Sequence, residues 1–479
     1  MTEEAFIGID VGTTAVKALA VSPSGKVLAR AQAAYPLSTP RPGWAEQDPE
    51  DWWHATQQAL AALDAKPAAI GLSGQMHGLV ALDEADRVIR PAILWNDGRT
   101  QRQCEAIEET VGLDRLIALT GNRALAGFTA PKLLWLREEE PETYAQIRSI
   151  LLPKDYVRLR LCEEHAIDVA DASGTLLFDV ARRRWSGEVL DALEIDPEWL
   201  PRVAESPEVA GETHGGVPVA AGAGDQAAGA LGVGVVAEGG PASVVLGTSG
   251  VVFAALDRYA ADPEGRVHAF CHAVPGVWHV MGVMLSAAGS LRWLRDTIGG
   301  DVSYDDLIAG AERWEPGVEG LLFAPYLAGE RTPYPDPEAR GAFLGLGLRH
   351  DRGAMTRAVL EGVAFGLRDA LDLVVEMGGR PASGRVSGGG GRGMLWLEIV
   401  ASVLGIPLEL TRADEGAAYG AALLGGVGAG VWGDAREAVD TCVRVTRTIE
   451  PRPEWVERYA ELQPAFRRVY PALVAARGD

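Results

Sequence analysis

Near its N-terminus the chain runs through short apolar stretches broken by turn residues. Phe6-Ile7-Gly8-Ile9-Asp10 reads as a strand, and Val11-Gly12-Thr13-Thr14 as a turn. Val16-Lys17-Ala18-Leu19-Ala20-Val21 reads as a second strand. Ser24-Gly25 turns again, and Val27-Leu28-Ala29 begins a third strand. The chain therefore opens on a meander rather than a strand-helix-strand unit. Further along, strand and helix signals alternate, which predicts an α/β fold. At the far end Trp455, Tyr459, Leu462, Phe466, Val469 and Leu473 recur at helical spacing. Pro464 lies inside that face and predicts a kink or two shorter helices.

The opening pattern returns in Ser243-Val244-Val245-Leu246-Gly247-Thr248-Ser249-Gly250-Val251-Val252-Phe253. Gly247 follows Gly12 by 235 residues, about half of the 479-residue chain. A strand-turn-strand repeat at that spacing predicts two related domains facing each other. Ala237-Glu238-Gly239-Gly240-Pro241 is a polar, Gly/Pro-rich link. The expected domains are thus residues 1–237 and 238–479.

Several strand ends carry candidate chemistry. Glycine lets a phosphate approach the backbone, and successive amides form an anion nest. Gly12, Thr13 and Thr14 fit that role, with Asp10 placed to hold Mg²⁺ through water. An ordinary hairpin with an Asp nearby fits the same residues. Ala221-Gly222-Ala223-Gly224-Asp225-Gln226-Ala227-Ala228-Gly229 joins a strand to a small-residue helix. Gly222, Gly224 and Ala227 fit a dinucleotide fingerprint, but Asp225 brings the wrong charge for a pyrophosphate. Asp225 is either a helix cap or a base for a sugar hydroxyl. Gln75-Met76-His77 sits between glycines, and Trp95-Asn96-Asp97-Gly98-Arg99 ends another strand. Both are candidate substrate contacts. Gly388-Gly389-Gly390-Gly391-Arg392 links a strand to a helix and could bed a flat ring, but it lacks the lysine-ending phosphate loop. Pro325-Tyr326-Leu327-Ala328-Gly329-Glu330-Arg331-Thr332-Pro333 reads as an ordered loop near a ligand.

Composition narrows the partners. Net charge is -22, from 44 basic and 66 acidic side chains. Such a surface repels nucleic acid and anionic membranes. Hydrophobic content of 47% and charged content of 23% fit a globular protein. Cys104, Cys162, Cys271 and Cys442 are scattered, which argues against a disulfide framework and fits the cytoplasm. No signal peptide or spanning segment is expected.

Taken together these segments resemble the FGGY family of carbohydrate kinases, within the larger actin, hexokinase and heat-shock-70 group. Gly74-Gln75-Met76-His77-Gly78, Ile93-Leu94-Trp95-Asn96-Asp97-Gly98-Arg99, Leu152-Pro153-Lys154-Asp155-Tyr156 and Asp171-Ala172-Ser173-Gly174-Thr175 are similar to its xylulokinase branch. The charged substrate-binding pair of glycerol kinases is missing at the Gln-Met-His position. The resemblance implies two actin-like ATPase (ribonuclease H-like) domains facing a central cleft. It implies Asp225 as general base, Asp10 beside Mg²⁺, and Gly12-Thr13-Thr14 and Gly247-Thr248-Ser249 as phosphate hairpins. Gly389, Gly390, Gly391 and Arg392 resemble the adenosine loop, and Gln75, Met76, His77, Trp95, Asn96, Asp225 and Gln226 the sugar side. Glu415 through Ala422 resembles a small-residue helix linking the domains. The implied reaction is ATP-dependent phosphorylation of D-xylulose to D-xylulose 5-phosphate, by a homodimer. The chain departs at Gln226, where xylulokinases often carry Asn and glycerol kinases Gln, and at Gly393, often polar elsewhere. Kinases of glycerol, L-xylulose, gluconate or a deoxy sugar are the near alternatives. A non-kinase actin-like ATPase and a dinucleotide-binding oxidoreductase are the distant ones.

Overall fold

The computed structural model describes residues 4–413 and 416–478. Its first sheet contains β1 (Ala5–Val11), β2 (Ala15–Val21), β3 (Val27–Ala34), β4 (Pro67–Gly74), β5 (Val209–Glu212), β6 (Pro218–Ala220) and β7 (Ala223–Gly224). The order is β5-β6-β4-β1-β2-β3, with β7 pairing to the end of β4. A second sheet contains β8 (Ala242–Leu246), β9 (Gly250–Leu256), β10 (His268–Cys271), β11 (Trp278–Met284), β12 (Gly384–Ser387), β13 (Leu408–Thr411) and β14 (Val445–Ile449). Its order is β10-β11-β9-β8-β12-β13-β14. Each sheet pairs its first strand antiparallel to the second, across a Gly-Thr turn. Each also pairs that strand parallel to one arriving after a helix. The sequence repeat is thus a repeat of topology.

Helix α1 (Pro49–Leu63) precedes β4. Asp48 caps it by accepting from the Glu50 amide at 3.0 Å, and Pro49 supplies a preset φ at the first position. Trp52, Ala55, Thr56, Ala59 and Leu63 recur on one face and are buried. Large apolar side chains on such a face stabilise by about 1.5–3 kcal/mol each. Helix α2 (Asp225–Gly232) follows β7, and α3 (Arg352–Glu376) and α4 (Met394–Leu404) flank β12.

Helix α5 (Gly416–Gly428) comes from the second half of the chain but packs on the first sheet. Its backbone touches glycines there. A Cβ at Gly8 would fall 1.8 Å from the Ala418 carbonyl, and one at Gly71 would fall 1.8 Å from that of Ala421. On its other flank, a Cβ at Gly420 would fall 1.9 Å from the Ala228 carbonyl of α2. Tyr419 of α5 donates to the Gly25 carbonyl at 2.8 Å. The C-terminal end of α2 is tied in turn to the second sheet, where Arg385 of β12 donates to the Val233 carbonyl at 2.6 Å. The two helices therefore lock the halves together. Glu415, which the sequence reading placed in this helix, lies outside the described residues.

The C-terminal face becomes two helices, but they do not divide at Pro464. Helix α6 (Pro453–Arg467) runs through that proline, and α7 (Val469–Arg477) begins after Arg468. Tyr459 and Phe466 pack into the core of the second half, and Val469 into a smaller cluster with Tyr326. Those contacts hold the helix across the backbone bond that Pro464 cannot make.

Among the described residues, no helix is long and apolar enough to cross a membrane. If the glycine contacts lock α5 in place, Gly420→Ala should lower the melting temperature by several degrees, since overpacking costs ~1–3 kcal/mol. Gly187→Ala, where an added Cβ meets nothing within 4 Å, should leave it unchanged. Thermal denaturation of the two variants would contradict this packing if Gly420→Ala melted like the control.

Candidate active site

Strand register builds the site. In the first sheet Asp10 pairs with Ser73 and Val11 with Gly74. Ala223 and Gly224 pair with the same two residues from the other side. The ends of β1, β4 and β7 are therefore level. The next residues along, Gly12, Gln75 and Asp225, leave the sheet at one rim. Gly224, not Asp225, is the cap residue of α2. The Asp225 carboxylate accepts from the Gln226 side chain at 3.3 Å. Asp225 is thus the first residue of the helix rather than its cap, and its side chain is half-buried.

Burial, with the charge of Asp10 beside it, pushes the Asp225 carboxyl up to about 7. Burial also pushes Asp10 up to about 6, with Lys17 across the hairpin opposing. Asp10 Oδ1 is buried without a partner among the described residues. Two neighbouring carboxylates with an unmet acceptor suit a divalent cation, which would relieve both.

Both turns are tied back by their carbonyls. Tyr35 donates to the Gly12 carbonyl, and Gln47 to that of Thr13 at 2.7 Å. Trp95 Nε1 donates to Thr13 Oγ1 at 3.0 Å. In the second turn the Gly247 carbonyl accepts from Ala288 N at 2.8 Å, and that of Thr248 from Ala287 N at 2.8 Å. A trans peptide directs its N–H opposite to its carbonyl. The amides of Thr13, Thr14, Thr248 and Ser249 therefore face away from those anchors.

Gly388, at φ 91°, turns the chain out of β12. A Cβ there would fall 2.7 Å from the Leu246 carbonyl, and one at Gly390 would fall 2.8 Å from Leu246 Cβ. The loop thus beds on the strand leading into Gly247. Gly389 faces open space, and Arg392 ends the short turn Gly389–Arg392 on the surface.

On the opposite side, Met76 is buried against Gly224, where a Cβ would fall 2.7 Å from Met76 Cγ. His77 has φ 69°, and its Nδ1 donates to the Gly174 carbonyl at 2.7 Å. The Phe128 ring packs edge-on at 4.6 Å. Burial, with Lys132 and Arg331 nearby, drives the His77 imidazole down to about 3. The ring is therefore neutral, and with Nδ1 carrying the proton its Nε2 is an acceptor. The Gln75 Oε1 is buried without a partner among the described residues. Gln75 is only 1% exposed, and its Nε2 donates to Gln47 Oε1 at 3.0 Å. Its amide nitrogen thus braces the first hairpin through Gln47. Trp95 and Asn96 line a cleft cavity of about 650 Å³ together with Glu330 and Arg331. Met76, His77 and Asp225 are not among that cavity's walls.

Two supporting groups were invisible as such in the sequence. Gln47 and Tyr35 hold the first turn from 34 and 23 residues away. Below Gly224, the fully buried Lys154 lies 2.6 Å from Asp155, 2.7 Å from Asp168 and 3.0 Å from Asp171. Those three carboxylates are close enough to hold a metal, but the ammonium already sits among them. Burial raises Asp171 well above the usual carboxylate range, which limits the charge stored there.

The N-terminal domain of the FGGY family of carbohydrate kinases matches residues 5–232, and its C-terminal domain matches residues 242–429. The chain belongs to the FGGY family of carbohydrate kinases. It is an ATP-dependent sugar kinase. It is 42% identical to the xylulose kinase of Escherichia coli (strain K12), over 98% of this chain and 99% of that one. A xyloylose kinase structure from Brucella ovis matches with TM-score 0.92 and 41% identity, covering 99% of this chain and 100% of that one. A gluconate kinase structure from Lactobacillus acidophilus matches with TM-score 0.94 at 27% identity, covering 99% of each chain. The fold of two actin-like domains around a cleft is the fold of this FGGY kinase.

His77 is one of several buried imidazoles. His272 is driven down to about 3, and His268 and His279 well below their ordinary value, in each case chiefly by burial. The unfolded chain binds protons at these sites below about pH 6.5, while the fold does not. Stability from neutral histidines is full above that pH and falls as pH drops toward 3. Each contributes a slope of about 1.4 kcal/mol per pH unit. The raised carboxyls of Asp10 and Asp225 act in the opposite sense, so the histidine contribution is read as a difference between variants. On going from pH 7.5 to 5.5 the urea midpoint of His279→Leu, which removes a fully buried imidazole, should fall less or rise more than that of the wild type. Equal pH shifts of the midpoint in the two proteins would contradict this.

Proposed function

We propose that the chain transfers the γ-phosphoryl group of ATP to the terminal hydroxyl of D-xylulose, giving D-xylulose 5-phosphate and ADP. The observation that carries this reading is Asp225. It is the first residue of its helix rather than the cap, its carboxyl carries a pKa of about 7, and it stands at the same sheet rim as the first hairpin. Resemblance at 42% identity to a xylulose kinase along nearly its whole length supports the sugar.

Asp225 takes the hydroxyl proton as the sugar oxygen bonds to the γ-phosphorus. The bond from that phosphorus to the bridging oxygen breaks, and the electron pair leaves with ADP. The amides of Thr13, Thr14, Thr248 and Ser249 face the phosphates and take up developing charge. Gly389, Gly390, Gly391 and Arg392 bed the adenosine. Met76 and His77 position the sugar, Gln75 braces the hairpin beside it, and Trp95, Asn96 and Gln226 complete the sugar side. Asp10 would hold Mg²⁺, whose charge would neutralise the triphosphate. Residues 1–237 form the sugar-binding domain and 238–479 the nucleotide-binding domain, apart from α5. Closure about α2 and α5 excludes water. Cytoplasmic residence, which the four free cysteines suit, and a homodimer belong to the same reading.

Asp225→Asn should lower kcat by ~10²–10⁴-fold while calorimetry still detects sugar binding. Turnover close to wild type would remove Asp225 as the base. Asp10→Asn should raise the Mg²⁺ concentration needed for half-maximal rate, and an unchanged requirement would reassign the ion. An ADP-release assay over D-xylulose, L-xylulose, glycerol and gluconate should give the highest kcat/KM for D-xylulose. Preference for another sugar, or ATP turnover independent of sugar, would overturn the substrate.

A further inference from the structure

The two halves of the chain meet a second time, away from α2 and α5. Strand β10 is an outer strand of the second sheet, paired on one side with β11. The backbone groups on the free side of an outer strand need partners. Here the first half supplies them. The Ala269 carbonyl accepts from Asn122 Nδ2 at 3.3 Å, and the Cys271 amide donates to Ser173 Oγ at 3.1 Å. His268 Nδ1 donates to Asn122 Oδ1 at 2.7 Å. The approach is close, since a Cβ at Gly121 would fall 2.3 Å from the Ala269 carbonyl.

This edge backs onto His77. The ring centroids of His77 and Phe270 lie 6.2 Å apart. Phe128, which packs edge-on against His77, is 6.2 Å from Phe270 and 5.8 Å from His268. His268 and Phe270 stack on each other at 5.6 Å. Two rings from each half thus form one cluster. Phe128, His268 and Phe270 are buried, and His77 is half-buried, so it is the member that reaches the solvent side. The Gly174 carbonyl that accepts from His77 Nδ1 directly follows Ser173, the residue held by the Cys271 amide. A Cβ at Gly174 would fall 2.5 Å from both Nδ1 and Cε1 of the imidazole. Strand β10 therefore grips His77 twice. Phe270 packs against the ring, and Cys271 fixes the segment whose carbonyl meets Nδ1.

The second side-chain torsion of a histidine is broad, so an imidazole without such contacts turns readily about it. Held on its ring and at Nδ1, it presents Nε2 in one direction before the sugar arrives. Preorganisation of that kind raises affinity by cutting the cost of ordering. We infer that β10, and Phe270 above all, is a positioning element for the sugar site, supplied by the nucleotide half. Phe270 acts through His77 and is not itself a sugar contact. The inference rests on His77 being a sugar contact, as proposed above. Sugar affinity then depends on how the halves meet along β10, while ATP affinity does not.

The test is steady-state kinetics of the full-length enzyme for wild type, Phe270→Ala, Phe270→Leu, His77→Ala and the double variants, with melting temperatures to check folding. The sugar is the one the wild type prefers, which is D-xylulose on the reading above. Phe270→Ala should raise KM for the sugar about five- to tenfold and change KM for ATP less than about twofold, the scale of a lost aromatic pair. Phe270→Leu refills much of the space and should recover part of that affinity. If the alanine variant does not fold, Phe270→Leu carries the comparison, with an expected rise of about two- to threefold. In a His77→Ala background neither Phe270 variant should raise KM for the sugar further, because the effect passes through the imidazole. An unchanged KM for the sugar, equal losses for sugar and ATP, or a Phe270 effect that persists in full without the imidazole would each overturn the inference. A His77→Ala enzyme with wild-type KM for the sugar would instead remove the sugar contact on which the inference rests. Preference for a sugar other than D-xylulose would correct the substrate and leave this test unchanged.

Discussion

Backbone contact between α5 and the first sheet is the constraint on which the rest of the structure depends. Gly8 and Gly71 sit on adjacent strands, and neither tolerates a side chain because the helix carbonyls lie where a Cβ would be. A helix pressed that closely onto β1 and β4 fixes their ends, and those ends carry Asp10 and Gln75. Its other flank presses on α2, which begins with Asp225. One small-residue helix thus sets the base, the hairpin and their spacing. Because α5 comes from the second half of the chain, the same contact joins the halves at one end of the cleft.

That geometry brings like charges together. Asp10 and Asp225 share a rim with little solvation, and each is held above its ordinary pKa. A general base is most effective when its pKa lies near the working pH. Below them the fold answers a similar concentration of charge differently, by placing Lys154 among three aspartates. The lower cluster is closed, with an ammonium of the chain among its carboxylates. The upper pair is open, and its compensating charge arrives with the nucleotide.

Much of this was legible in the sequence because it depends on local pattern. The repeat from Gly12 to Gly247 is strand, turn and strand in order, and it survives as two sheets of matching topology. Asp225 was legible by position, at the step from strand to helix, although the cap alternative needed coordinates to remove. What was not legible depends on pairing at a distance. Small residues in α5 announce close packing but not which sheet receives it. The bond from the Gln75 amide nitrogen to Gln47, 28 residues earlier, is one such pairing. Pro464 looked like a break, but packing of Tyr459 and Phe466 carries the helix through it.

The central claim is that one cleft places a sugar hydroxyl between Asp225 and a phosphate held by two hairpins from opposite halves. A crystal structure with D-xylulose and a non-hydrolysable ATP analogue tests it most directly. The account predicts the terminal hydroxyl oxygen within about 3.2 Å of the Asp225 carboxylate and about 3–3.5 Å from the γ-phosphorus. The phosphates should rest on the amides of Thr13, Thr14, Thr248 and Ser249. A sugar whose terminal hydroxyl faces away from Asp225, or phosphates bound away from either hairpin, would contradict it.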